Sequence, residues 1–313
     1  MDAPTREDRV AGGLFGLLIG DALGVPYEFK SPSELPSPLV MSYQTPPGFP
    51  RTHAQTPPGT WSDDGAHALC LLASLLHCDA LDLKDLGNRF LNWIEHGYMA
   101  VDDRVFDVGI QTQRALRSLS AGDPPISAGP CGERDNGNGS LMRSLPLSLW
   151  HRGTDEELAR DACLQSRVTH GHVRSQVCCA IYVLWARRFL ENAPNAWNAA
   201  VESARAIWPN DSAHRDELER VVLPALATAP NGTGYVLDTL NAAVALQRHE
   251  DFESVIRGAI ALGGDTDTTA CVAGGIAGLR FGLSGIPKPL RDELRGQTLV
   301  APLLEQLLQR LRS

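Results

Sequence analysis

Apolar side chains recur at intervals of three and four over most of the 313-residue chain, the spacing of a single helix face. The pattern predicts helices over residues 7–23, 64–77, 83–96, 107–120, 154–168, 172–190, 196–208, 212–227, 233–247, 252–262 and 267–281. A shorter helix runs to about Trp150, and two more short ones close the chain. No stretch sustains an alternation of two, so nothing reads as a half-buried strand. The expectation is an all-α protein, with residues 1–313 forming one compact helical domain.

Two segments break the pattern. Ser31–Thr60 holds eight of the 21 prolines and predicts a long surface loop; Ala121–Asn136, rich in Gly and Pro, predicts a second. The first helix contains Gly12, Gly13, Gly16 and Gly20. Each glycine costs a helix about 1 kcal/mol against alanine, so four of them point to close helix–helix contact. Residues 267–281 present a similar small-residue face in Ala270, Ala273, Gly274, Gly275, Ala277 and Gly278, as suits a buried central helix.

The net charge of −9 argues against a nucleic-acid partner, because no basic patch stands ready to displace counterions from a phosphate backbone. No uninterrupted apolar stretch reads as long enough to span a bilayer, and the N-terminus lacks a signal-peptide pattern. The seven cysteines form no CxxC pair. They read as reduced thiols of a cytoplasmic protein.

The candidate chemistry is acidic. Ser62-Asp63-Asp64 and Asp265-Thr266-Asp267-Thr268 each stand at the head of a predicted helix. Acids at a helix start cap free N–H groups, and each pair alone is explained by that. Two hydroxyl-flanked pairs also form a nest of hard oxygen ligands suited to Mg²⁺ or Mn²⁺. Gly137-Asn138-Gly139-Ser140, ahead of a predicted helix, reads as a turn with the makings of an anion cradle, with Arg143 facing a phosphate or solvent. Thr169-His170-Gly171-His172 reads as a hydrogen-bonding pair of imidazoles rather than a zinc site, since no third ligand stands at metal spacing. Glu28 is a candidate partner for a substrate hydroxyl. No Gly-x-Ser-x-Gly elbow or catalytic cysteine context supports a covalent nucleophile.

Taken in order, the Gly-rich helix ending in Gly20-Asp21-Ala22-Leu23-Gly24, then Tyr27-Glu28, Trp61-Ser62-Asp63-Asp64, Gly137 to Arg143, Thr169-His170, Gly234-Tyr235-Val236 and Gly263 to Thr268 resemble the ADP-ribosylglycohydrolase family. The resemblance implies an orthogonal helical bundle around a binuclear metal site. It implies two Mg²⁺ (or Mn²⁺) held by Ser62, Asp63, Asp64, Asp265, Asp267 and Thr268. It places Gly137, Asn138, Gly139, Ser140, Met142, His170 and Tyr235 against the ADP-ribose, and Glu28 near the ribose. Asp63 and Asp267 are then the candidate general bases, with Glu28 completing the catalytic set. The implied partner is an ADP-ribosylated protein, cleaved at arginine by a monomeric enzyme. Cleavage of a serine, poly(ADP-ribose) or small-molecule linkage, ADP-ribose reading without cleavage, and a structural protein on the same fold are the alternatives. The chain departs from the family at Gly65, where many members have Thr, and altered support for the site is expected there.

Overall fold

The computed structural model describes residues 3–312. The helices are α1 (Arg6–Gly24), α2 (Asp63–Cys78), α3 (Leu83–His96), α4 (Ile110–Ser120), α5 (Pro125–Ala128), α6 (Leu145–Trp150), α7 (Asp155–Arg167) and α8 (Val173–Leu190). They continue as α9 (Ala196–Ile207), α10 (Ala213–Glu217), α11 (Leu223–Ala225), α12 (Val236–Leu246), α13 (Phe252–Ile260), α14 (Thr266–Phe281), α15 (Lys288–Asp292) and α16 (Gln297–Arg312). Among the described residues there is no β-strand, only an isolated antiparallel bridge between Gly137 and Tyr235. The expected all-α fold is what the chain adopts.

Side-chain caps start several helices where the pattern places them. Asp82 accepts from the Lys84 and Asp85 N–H groups at the head of α3, and Thr154 with Glu157 forms a capping box on α7, satisfying donors that have no intrahelical partner.

Three expectations are corrected. The predicted helix 212–227 is broken into α10, a π turn at Leu218–Val222 and α11, the last holding Pro224, which has no N–H for the ladder. The predicted helix 107–120 begins only at Ile110, because Asp107 has a left-handed φ of 55°. The last helix, read as short, runs for 16 residues.

What positions the site is the pairing of α1 with α14. Gly12, Gly16, Gly20 and Gly24 form one stripe of α1, and that stripe lies antiparallel on α14. A Cβ at Gly16 would sit 2.3 Å from the Gly274 carbonyl oxygen, and one at Gly24 2.4 Å from the Asp267 Cα. The two backbones touch with no side chain between them, the close approach that glycine alone permits. Thr266 Oγ1 then donates to the Gly24 carbonyl at 2.8 Å, so the end of α1 is fastened to the start of α14. At the far end, the buried Arg9 donates to the carbonyls of Leu279 (2.7 Å) and Arg280 (3.1 Å).

The expectation that no apolar stretch reaches membrane length is corrected at α1. It is long and apolar enough to cross a membrane, yet 94% of that stretch is buried inside the fold, where α14 and its neighbours cover it. The proline-rich segment is likewise not purely superficial. Met41 and Tyr43 are buried in the core, and the Tyr43 hydroxyl donates to the Leu290 carbonyl at 3.0 Å.

Candidate active site

The starts of α2 and α14 meet beneath one hollow. Asp21, near the end of α1, holds the first of them. Its two oxygens accept from the Ser62 N–H (2.9 and 3.0 Å), and Oδ2 also accepts from the Gly65 N–H at 2.7 Å. Burial pushes this carboxyl up to about 7, against the lowering pull of those N–H donors.

Asp64 joins the two helix starts. Its Oδ2 accepts from the hydroxyls of Ser62 (3.0 Å) and Thr268 (3.3 Å). Asp265 caps α14 through the Thr268 N–H (3.3 Å) and takes a further bond from Asn138 Nδ2 at 2.9 Å. Plain capping therefore explains part of Asp265, but not Asp64 or Asp267. Asp64 Oδ1 and Asp267 Oδ2 are both buried without a hydrogen-bond partner, a costly arrangement unless something positive faces them.

The carboxylates are also crowded. Ligand atoms of Asp21, Asp64 and Asp267 lie within 4.8 Å of one another, as do those of Glu28, Asp265 and Asp267, and those of Glu28, His53 and Asp107. Asp267 links the first two sets and Glu28 the last two; Asp63 stands in none of them, although it lines the hollow. Hard oxygen donors, two orphaned oxygens and mutual repulsion fit divalent cations.

Electrostatics agree with the crowding. Burial first, and neighbouring carboxylates second, push Asp63, Asp64 and Asp267 well above the ordinary carboxylate range. Burial, then Asp107 and Asp265, take Glu28 up to about 10. Without cations the folded chain thus holds protons that the unfolded chain releases above about pH 4. Stability then falls as pH rises, because the native state binds more protons than the unfolded one. In chelator the melting temperature is expected to drop between about pH 5.5 and pH 8, and saturating Mg²⁺ should flatten that slope by replacing the protons. Scanning fluorimetry decides it; a cation-free protein that becomes steadily more stable over that range contradicts the raised carboxyls.

A cavity of about 430 Å³ opens over these groups. Its lining includes Glu28, Asp63, Asp265 and Thr268 together with Gly137, Asn138, Gly139, Met142 and His170. His170 is buried and faces the Gly137–Gly139 turn, where a Cβ at Gly139 would lie 2.8 Å from its Cε1. Its Nδ1 is 2.8 Å from Thr169 Oγ1, which already accepts from Arg143 at 2.7 Å. The Thr169 hydroxyl has a second lone pair and a proton, so it can accept from or donate to Nδ1, and the ring's tautomer follows from that choice. Burial, then Arg143, lowers this imidazole to about 3, so it is neutral.

Several placements differ from expectation. α6 starts at Leu145, so the Gly137–Ser140 turn is not at a helix N-terminus. The Gly137 N–H donates to Gln111 Oε1 (2.6 Å) and the Asn138 N–H to the Gly234 carbonyl (3.1 Å). Ser140 is buried behind the cavity, its hydroxyl accepting from Ser166 at 2.9 Å. The Tyr235 hydroxyl turns to Arg174 at 3.0 Å. Arg143 meets neither phosphate nor solvent: fully buried, it donates to Gly139, Gln165 and Thr169 and lies 4.9 Å over the Phe90 ring. His172 turns to Glu133 at 3.2 Å, away from His170. At Gly65 a Cβ would lie 2.7 Å from Trp61 Cγ and 2.8 Å from Leu18, so the departure there is a matter of packing, and the Asp21 bond to its N–H is intact.

Sequence reasoning missed Asp21, His53, Asp107 and Gln111. An aspartate inside the apolar run of α1 was a usable signal for Asp21. Asp107 gave none, since its spacing read as a helix start.

Carboxylates pooled by two helix starts beneath an open hollow, in an all-helical bundle, describe a site fitted to divalent cations. A model of the ADP-ribosylglycohydrolase family matches residues 2–313, and the chain belongs to that family. It is 30% identical over 307 residues to the ADP-ribosylarginine hydrolase Tri1 of Serratia proteamaculans, covering 96% of this chain and 79% of that protein. It is 28% identical to the ADP-ribosyl-[dinitrogen reductase] glycohydrolase of Rhodospirillum rubrum (92% and 90% covered) and 26% identical to human ADP-ribosylhydrolase ARH3 (92% and 89%). Among solved structures, one described as an ADP-ribosylglycohydrolase-related protein complex superposes with a TM-score of 0.77 at 34% identity, covering 97% of this chain and 98% of that one.

Proposed function

We propose that this chain is a divalent-cation-dependent hydrolase that removes ADP-ribose from arginine side chains of proteins. The observation that carries the arginine reading is the cavity lining: Glu28, Asp63, Asp107 and Asp265 stand there with no lysine or arginine among the lining residues. No cationic side chain of the lining stands to repel a guanidinium acceptor. The arginine hydrolase among the 30% identical relatives supports the same choice.

Ser62, Asp63, Asp64, Asp265, Asp267 and Thr268 would hold two Mg²⁺, or Mn²⁺, which accepts the same ligand set. Bound there, such cations polarise substrate oxygens and lower the pKa of water. The rest falls to the chain's own residues. Asp63 lines the cavity and takes the general-base role; Asp267, fully buried with Oδ1 on the Thr268 N–H, acts as a ligand. Glu28, held protonated by burial and its acidic neighbours, gives its proton to the departing group as the glycosidic bond lengthens. His170 presents its ring edge to the Gly137–Gly139 turn, and Asn138, anchored on Thr239 at 2.9 Å and Asp265 at 2.9 Å, keeps the turn in register. We read the enzyme as a cytoplasmic monomer whose partner is the ADP-ribosylated protein.

The test is release of free ADP-ribose from an arginine-modified protein beside a serine-linked peptide, each in Mg²⁺ and in chelator. Cation-dependent release from arginine alone is expected. Release from serine alone overturns the acceptor and keeps the site; tight ADP-ribose binding without release from either overturns catalysis.

A further inference from the structure

The proline-rich segment sends one side chain into the catalytic wall. His53 Nε2 lies 2.8 Å from Glu28 Oε2. The imidazole also packs on Phe106 (centroids 5.1 Å) and Phe29 (6.2 Å), and the Asp107 carboxyl is the other charged group that faces it. This placement is built. The Thr52 N–H donates to the Pro26 carbonyl at 3.1 Å, and its hydroxyl to the Glu28 carbonyl at 2.5 Å. Arg104, on the segment leading to Asp107, donates to the Gln55 carbonyl at 2.9 Å. Phe29, His53 and Asp107 all have left-handed backbones, with φ of 60°, 51° and 55°. Non-glycine residues hold that conformation only where their surroundings over-determine it, and such residues cluster at functional sites.

A glutamate side chain has three torsions, and the protonated Glu28 carboxyl has Asp107 as a second hydrogen-bonding partner to turn to. A fixed partner is needed to hold one rotamer. We infer that His53 is a positioning residue: it holds the Glu28 carboxyl in the orientation used for proton transfer and locks the proline-rich loop to the Asp107 segment as one wall of the cavity. The inference rests on the role proposed above for Glu28.

Two variants separate the bond from the packing. His53→Phe keeps a ring against Phe106 and loses the hydrogen bond; His53→Gln keeps a hydrogen-bonding amide and loses the ring. In saturating Mg²⁺, His53→Phe is expected to lower kcat by about tenfold with KM within roughly twofold and the melting temperature unchanged, because only the orientation of the reacting group is lost. His53→Gln should recover most of that kcat. A His53→Phe enzyme with wild-type kcat overturns the inference. So do equal losses in both variants accompanied by a lowered melting temperature, which mark a purely structural residue. A second readout needs no turnover: the imidazole ¹⁵N resonances of His53 should move in Glu28→Ala, and unmoved resonances overturn the contact. Wild-type protein that releases no ADP-ribose overturns the functional reading alone, and the resonances then still decide whether His53 holds Glu28.

Discussion

Asp267→Ala is expected to abolish turnover and to remove most of the cation affinity in the same step. Asp267 is fully buried at the first turn of α14 and belongs to two of the three carboxylate groupings. Its Oδ2 has no donor from the protein, as the cation-ligand role proposed for it requires. Loss of one such ligand should lower kcat/KM by roughly 10³-fold or more, about 4 kcal/mol of transition-state stabilisation. The sign of the stability effect sets this apart from simple damage. Without cations, alanine removes one carboxyl from a crowd whose members raise one another, so the variant should melt at or above the wild-type temperature at about pH 8. The Mg²⁺-induced rise in melting temperature should vanish. Calorimetric titration of Mg²⁺ with parallel assays of release checks both halves. Unchanged turnover refutes the assignment of Asp267, and a large loss of cation-free stability recasts it as a folding residue.

The second large effect lies in the seam between α1 and α14. Gly16→Ala adds one methyl where the Gly274 carbonyl oxygen is 2.3 Å away and the Gly278 Cα 3.1 Å away. Both obstacles are backbone, so no rotamer change relieves the clash and the helices must separate. Overpacking of this kind costs about 3 kcal/mol or more, roughly 5 °C or more in melting temperature for a chain of this size. Activity should fall further than stability, since Asp21 and Asp267 lie along the same pair of helices. Gly87→Ala, in α3, is the counterpart. There a Cβ would meet Leu119 and Pro125 at an ordinary 3.5 Å, and helix propensity favours alanine by up to about 1 kcal/mol. The same chemical change should therefore destabilise at position 16 and stabilise at position 87. Equal effects at both would mean that the seam is looser than the structure has it.

How much of this could be read in advance depends on what each feature obeys. α3 was predicted from Leu83 to His96 and runs over those residues, because a strong apolar period and a capping aspartate agree. The glycine runs correctly announced close packing, although nothing in either helix named the other as its partner. The acid pairs were legible as residues, and the structure brings them together at one place. Their surroundings were not legible. Asp107 reaches the cavity through a left-handed backbone three residues ahead of its helix, and His53 through a loop with no period at all. Arg143 was read as a surface or phosphate-facing cation on a helix turn; it is instead the buried strut that joins Gly139 to Thr169 and Gln165. Spacing predicts faces of regular elements. It has no purchase on side chains delivered by turns.

The fastening of Gly24 to Thr266 spans 242 residues of sequence, and that has a temporal meaning. A ribosome adding about 5–20 residues per second takes roughly 12–50 s between making the first half of the seam and the second. For most of that interval α1 is outside the tunnel as an apolar, glycine-weakened segment without its partner, so it cannot be a stable helix on its own. The acids Asp63 and Asp64, proposed above as cation ligands, are finished early, and Asp265 and Asp267 come late. The two acid pairs therefore meet only after Asp267 has emerged, and the interval before that is when the nascent chain depends most on holdase chaperones.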